Sequence, residues 1–208
     1  MKNVYIVGAS GFGKEIAWVI DEIGDFNIVG FIDDNRLILG KKINGIPVIG
    51  NVDFLLDKTE QINVIVAIGN PIIRRKIIER LMHNKNIRFP NLIAKNVVIS
   101  KHVEMGVGNI ICSGTIMTTN IRLGNFNHIN LSCTIGHDVC MQNFITIYPS
   151  VNVSGNVNIE NNCELGTGTK IIQGISIIND TIVGAGSVVI KDIEESGTYV
   201  GIPVRKVK

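Results

Sequence analysis

Two histidine-bearing clusters and one glycine-rich turn hold most of the residues in this chain that could do chemistry. Gly136-His137-Asp138 sets an imidazole beside a carboxylate, and Asn127-His128-Ile129-Asn130 is the other dense polar cluster nearby. A histidine titrates near neutral pH, and an adjoining carboxylate can orient the ring and stabilise its charged form, so such a pair suits a general base. For His137 the residues alone leave a base and a structural histidine both open. For His128, which directly precedes an apolar core position, a structural or interface role is favoured.

The third feature is Gly8-Ala9-Ser10-Gly11-Phe12-Gly13, which follows the short apolar run Val4 to Val7 and precedes a helical pattern. A strand–turn–helix of this kind can present amide groups and a helix N-terminus to a phosphate. Asp33-Asp34 closes the next strand, where such folds place an acid on a ribose. Glycines that only permit close helix–strand packing are the competing reading. A dinucleotide would need a second mononucleotide half that the first part of the chain has no room for, whereas a nucleotide of the UDP or dTDP kind fits.

The elements that must position these groups fall into two grammars. Residues 1–88 alternate strands and helices: a helix with Ile16, Val19, Ile20 and Ile23 on one face, a strand from Asn27 to Ile32, and another from Val64 to Ile68. Asn70 and Pro71 make a good N-cap and first turn for a helix whose apolar face is expected to be Ile72, Ile73, Ile77, Ile78 and Leu81. The alternation predicts a small Rossmann-like parallel sheet covered by helices.

Residues 89–208 form the other part, which from about 91 to 190 keeps a six-residue beat instead. Every sixth residue from Ile93 to Val189 is aliphatic, 17 positions in all. That period belongs to neither a helix nor an isolated strand but to a parallel β-helix built from hexapeptides, three to a triangular coil. Two residues before each aliphatic lies a second slot of small, β-branched or Asn side chains. Gly106, Gly124, Gly136, Gly166 and Gly184 follow the aliphatic, where corners are expected to need a positive φ. The tail from Gly201 falls outside the beat and is expected to fold back on or cap the coils. Of the repeat's three histidines, His102, His128 and His137, no two stand five residues apart as in zinc-bearing β-helices, so no metal is expected.

Bulk properties narrow the partners. The net charge is +2 with no basic stripe, so neither nucleic acid nor an anionic membrane is expected. The one basic cluster, Arg74-Arg75-Lys76, is assigned to the solvated face of its helix. The four cysteines form no CxxC pair and read as reduced core residues. The opening apolar run is too short for a signal peptide and no stretch is long enough to span a membrane, which predicts a cytoplasmic protein.

The chain resembles the bacterial nucleotide-sugar N-acetyltransferases of the hexapeptide-repeat superfamily, the NeuD and PglD type, grouped with sialic-acid O-acetyltransferases. The resemblance rests on Gly8 to Lys14, Phe31-Ile32-Asp33-Asp34, Ala67-Ile68-Gly69-Asn70, the segment from Asn130 to Asp138, Val153-Ser154-Gly155-Asn156 and Val200-Gly201-Ile202-Pro203. It implies a left-handed β-helix and a homotrimer. It implies that Ser10, Gly11 and Phe12 meet the diphosphate of a UDP- or dTDP-linked amino sugar, Asp33 and Asp34 its ribose or base, and Gly69 its far side. Acetyl-CoA would lie between two subunits along Thr146, Gly155, Thr167 and Ala185, with Asn130 a polar contact nearby. His137 matches the catalytic base and Asp138 its acidic partner. Phe12 and Thr146 stand where some relatives carry histidines.

The function so implied is acetyl transfer from acetyl-CoA to the 4-amino group of a nucleotide-linked 4-amino-4,6-dideoxy sugar, for surface polysaccharide or glycan. Acetylation of a sugar hydroxyl, as on sialic acid, is the nearest rival, and a non-catalytic trimeric scaffold is a third. A free sugar would leave the glycine turn without a ligand, and a scaffold would leave His137-Asp138 without a task.

Overall fold

The computed structural model describes residues 1–208, which divide into two compact units, Met1–Ala94 and Lys95–Lys208. The division thus falls after Ala94 rather than at residue 88.

In the first unit the strands β1 (Lys2–Val7), β2 (Phe26–Ile32), β3 (Lys42–Ile43), β4 (Ile46–Gly50), β5 (Ile62–Val66) and β6 (Ile87–Arg88) form one sheet in the order β3-β4-β2-β1-β5-β6. The β1–β2, β1–β5, β2–β4 and β5–β6 pairs are parallel, and only the β3–β4 hairpin is antiparallel. That hairpin turns on Asn44-Gly45, both at positive φ, as a tight two-residue turn between twisted strands requires.

Three helices accompany the sheet: α1 (Gly11–Ile23), the short α2 (Val52–Leu56) and α3 (Pro71–Leu81). Helix α1 buries Ile16, Val19 and Ile20 as its periodicity predicts, and Gly24 closes it in the left-handed conformation. Helix α3 begins as expected, with the Asn70 side chain accepting from Ile73 N and Pro71 in the first turn. Its buried face differs from the expected one. Pro71, Arg74, Ile78 and Leu81 are buried, whereas Ile72 and Ile73 are exposed. Arg74 is therefore no part of a solvated cluster: it is fully buried, and only its neighbours Arg75 and Lys76 face water.

The second unit is a left-handed parallel β-helix in which each strand pairs with its counterpart one coil, or three hexapeptides, further on. Ile110–Ile111 pairs with His128–Ile129, Ile116–Met117 with Thr134–Ile135, and Arg122–Leu123 with Cys140–Met141, one pair on each side of the triangular coil. From Ile111 to Val189 each aliphatic on the six-residue beat is buried, and the first three are half-buried. The second slot is inward as well, and its polar members share one task. Asn109, Thr115, Asn127, Cys133, Cys163 and Thr169 each donate to the backbone carbonyl 15 residues on, at 2.9–3.2 Å. A slot this narrow admits only small side chains, and the carbonyl of the next coil rewards those with a donor. Cys112, Cys133 and Cys163 are buried thiols, and Cys140 is exposed.

The corners differ from expectation. Positive φ does not fall on Gly106, Gly124, Gly136, Gly166 or Gly184; it falls two residues later, at every sixth residue from Gly108 to Gly186, and includes Asn120, Ser132, Asp138, Asn156, Asn162 and Asp180. The five glycines instead answer to close approach. A Cβ would come within 2.2–2.7 Å of the adjoining layer at each of them, for example 2.5 Å from Gln142 O at Gly124. The tail caps the last coil: Gly197–Gly201 adds parallel to Thr181–Val183, and Val204–Lys206 returns antiparallel to it. No helix of the chain is long and apolar enough to cross a membrane.

Candidate active site

His137 and Asp138 occupy the corner that follows the strand Thr134–Ile135. Asp138 is the corner's left-handed residue (φ 61°), a conformation that Asp and Asn adopt more readily than most L-residues. The backbone thus favours a carboxylate or amide here before any chemistry is asked of it. The imidazole Nδ1 of His137 lies 2.8 Å from Asp138 Oδ2, and both side chains are about half exposed.

The other carboxylate oxygen, Oδ1, accepts from Asn120 Nδ2 at 3.2 Å. The hydrogen bonds from His137 and from Asn120 hold the Asp138 carboxyl below the usual carboxylate range. An ionised carboxylate can only accept, so Nδ1 is the donor of this pair, and the neutral form of the ring then carries its lone pair on Nε2.

The ring rests against the next coil. A Cβ on Gly155, the residue one coil on from His137, would lie 2.4 Å from His137 Cε1 and 2.5 Å from Nε2. Only the missing side chain lets the imidazole settle there. The Gly155 amide is not among the backbone donors of the coil, although its carbonyl accepts from Gly174 N at 3.0 Å. A bare Nε2 and a backbone N–H therefore share one corner, which is what a proton acceptor beside an oxyanion donor requires.

Asn130, Thr167 and Ala185 lie elsewhere. Thr167 and Ala185 stand one coil apart and exposed on the corner after the side bearing His128–Ile129, and Asn130 begins that same corner two coils below Thr167. The Asn130 side chain accepts from Leu131 N at 2.7 Å. Thr146 is buried on the side itself, in register with the equally buried His128. One chain therefore brings together His137, Asp138 and Gly155, with Asn120 added, but not Asn130, Thr146, Thr167 or Ala185.

In the first unit the chain order reverses about β1: β2 lies on one side and β5 on the other, so a crevice opens beyond the ends of β1 and β5. Packing explains two of the turn's glycines. Gly8 (φ 99°) would bring a Cβ to 2.9 Å from Ala67 O, and Gly13 to 2.0 Å from Gly8 O. Gly11 has nothing within 4 Å of such an atom, and Ser10, at the N-cap position of α1, makes no capping bond with its side chain.

Asp33 braces the turn, its Oδ2 accepting from Ala9 N and its Oδ1 from Asn35 N, both at 2.9 Å. Asp34 accepts from Val52 N at 3.0 Å and pairs loosely with Arg80, 3.8 Å away. Gly69 lies on the opposite lip, after β5. Ser10, Gly11 and Phe12 thus follow β1, Asp33 follows β2 and Gly69 follows β5, all at the same end of the parallel sheet, with Asp34 turned toward α2.

Residues 3–81 match the PglD N-terminal domain family. Over its full length the chain is similar to WeeI from Acinetobacter baumannii AYE, with 32% identity, 100% of both chains covered and a TM-score of 0.91. It is similar to the acetyltransferase domain of PglB from Neisseria gonorrhoeae FA1090, solved in complex with acetyl coenzyme A, at 29% identity, 99% coverage of both chains and a TM-score of 0.93. A variant of perosamine N-acetyltransferase from Caulobacter crescentus, solved with CoA and GDP-perosamine, matches at 25% identity, covering 100% of this chain and 98% of that one, with a TM-score of 0.92. Comparison with curated protein sequences gives no match.

Proposed function

The chain belongs to the hexapeptide-repeat nucleotide-sugar N-acetyltransferases of the NeuD/PglD type, and is an acetyl-CoA-dependent sugar acyltransferase; from that premise we propose that it acetylates the 4-amino group of a UDP- or dTDP-linked 4-amino-4,6-dideoxy sugar, with His137 as general base. The observation that carries this reading is the imidazole held by Asp138 against Gly155.

In the proposed reaction the amino nitrogen attacks the thioester carbonyl of acetyl-CoA and His137 Nε2 takes the proton that the nitrogen loses. The oxyanion that forms accepts from the Gly155 amide, a contact of the kind worth about 3 kcal/mol. Collapse breaks the C–S bond, and the proton on Nε2 goes to the departing thiolate, giving the acetamide and coenzyme A. No covalent intermediate on the protein is needed, because holding both substrates together lowers the barrier.

The first unit would hold the nucleotide, with Ser10 and Gly11 toward the diphosphate. The relative solved with GDP-perosamine widens the bases to be tried. His137, Asp138 and Gly155 stand at one corner of the β-helix and Asn130, Thr167 and Ala185 at another, and a homotrimer that sets the His137 corner of one chain beside the Thr167 corner of the next would bring the two sets together around acetyl-CoA. Surface glycan synthesis in the cytoplasm suits such a product.

Coenzyme A release, followed with UDP-, dTDP- and GDP-linked amino sugars and with sialic acid, tests the reading. Turnover of a UDP- or dTDP-linked amino sugar that His137→Ala abolishes is the expected result, and turnover of a GDP-linked one alone would move the reading to that nucleotide. Turnover only with sialic acid, or full activity of His137→Ala, would overturn it.

A further inference from the structure

The lip of the first unit's crevice formed by Ile68 and Gly69 is held from inside the fold by a buried cation. Arg74 is 0% exposed, and its Nη1 donates to Ile68 O at 2.7 Å and to Gly69 O at 2.9 Å. Burying a guanidinium is costly, and the two carbonyls at the C-terminal side of β5 offset part of that cost. The same loop presses on the glycine turn: Gly8 would bring a Cβ within 2.7 Å of Ile68 Cδ1. Each planar trans peptide points its N–H opposite to its C=O, so drawing these carbonyls inward turns the amides of Gly69 and Asn70 away from the guanidinium.

We propose that Arg74 is a positioning residue for the nucleotide diphosphate, fixing the Ile68–Gly69 lip from beneath and placing a positive charge behind it. The proposal rests on the reading of this unit as the holder of the nucleotide. A charge behind the lip, out of water, is screened far less than one on the surface, so it favours an anion in the crevice. Arg75, its neighbour, offers the contrast: it is exposed and bonded to Glu79 at 2.8 Å one helical turn away.

The test uses the full chain and titrates UDP, dTDP and GDP calorimetrically into the wild type and into Arg74→Met, Arg74→Lys and Arg75→Met, with thermal melts and steady-state kinetics alongside. For whichever nucleotide the wild type binds, Arg74→Met should bind it about tenfold more weakly or worse. The KM for the nucleotide sugar should rise while that for acetyl-CoA stays put. Arg74→Lys, which keeps the charge, should recover part of the affinity, and Arg75→Met should bind as the wild type does.

The proposal is overturned if Arg74→Met binds within twofold of the wild type, if Arg75→Met loses as much, or if the folded fraction of both Arg74 variants binds with wild-type affinity. A wild type that binds none of the three nucleotides removes the nucleotide reading itself, and this proposal with it. A wild type that binds, with indifferent Arg74 variants, removes the proposal alone.

Discussion

Gly155→Ala separates catalysis from folding at a single atom. The added Cβ would stand 2.4 Å from His137 Cε1, 2.5 Å from Nε2 and 2.9 Å from Nδ1. Non-bonded carbon contacts settle near ~3.5–4.0 Å, so the imidazole must recede by about 1 Å. It has room to do so, because the His137 side chain is 52% exposed and can swing into water. Fold stability should therefore change by less than about 1 kcal/mol. The geometry proposed for catalysis cannot survive the same move, since the 2.8 Å bond from Nδ1 to Asp138 is what orients Nε2.

A displacement of that size costs roughly 100-fold in rate, or about 2.7 kcal/mol of transition-state stabilisation. The assay is kcat at saturating acetyl-CoA and nucleotide sugar, with a thermal melt of the same preparation. The whole effect runs through the ring, so Gly155→Ala in a His137→Ala background should cost nothing further. Activity within threefold of the wild type would refute the reasoning. So would a rate lost only in proportion to a lowered melting temperature, or a double variant far slower than His137→Ala.

Three further outcomes follow from the geometry. Gly11→Ala, which meets open space, should leave the melting temperature unchanged and raise the KM for the nucleotide sugar, whereas Gly13→Ala, driven to 2.0 Å from Gly8 O, should unfold the first unit in a thermal melt. Burial pushes the Cys133 thiol up to about 11 and the Cys163 thiol up to about 12, so alkylation of the native protein at pH 8, read by mass spectrometry, should label Cys140 alone until the fold opens. In Asn120→Ala the Asp138 carboxyl loses one of the donors that depress its pKa. A depressed carboxylate contributes above its ordinary pKa and loses that contribution as pH falls through the folded value, so the variant should shed the Asp138–His137 pair at a higher pH, seen as an upward move of the Asp138 midpoint in a carboxyl NMR titration.

The second unit is legible in the sequence because a β-helix leaves each hexapeptide little choice: one inward aliphatic, one narrow inward slot, one corner. What the sequence hides is which corner position bears the strain. The glycines after each aliphatic look like the left-handed residues, yet they are there because the adjoining layer comes within 2.2–2.7 Å of a would-be Cβ, and the left-handed residue stands two places on. Composition alone does not separate these causes, since both select glycine. The fourteen positive-φ positions are the ones that also admit Asn, Asp, Ser and even Phe126 and Phe144, and that tolerance is the usable signal.

Arg74 illustrates a limit of a different kind. Helical periodicity assigns faces by hydropathy, and on that measure an arginine next to Arg75 and Lys76 belongs in water. Buried, it donates to two backbone carbonyls at the end of β5, partners that the loop supplies and that are absent from the helix's own sequence. Asp33 likewise reads as a ligand contact from its place at a strand end, and the structure adds a bracing role that the sequence does not show, each oxygen accepting from a backbone amide.

Asn120 escapes a reading in sixes for want of the right ruler. It lies one coil before Asp138, at the same left-handed corner, and Asn156 lies one coil after it. Reading such a chain coil by coil rather than hexapeptide by hexapeptide lines up Asn120, Asp138 and Asn156 in one column, and Thr119, His137 and Gly155 in the next. The chemistry of this fold is arranged across coils, so side chains far apart in the chain become neighbours at a spacing of one turn. Asn120 bonds to Asp138 and Gly155 seats His137 by the same register that stacks the apolar core. The regularity that hides the candidate site in the sequence is thus also what holds its parts in place.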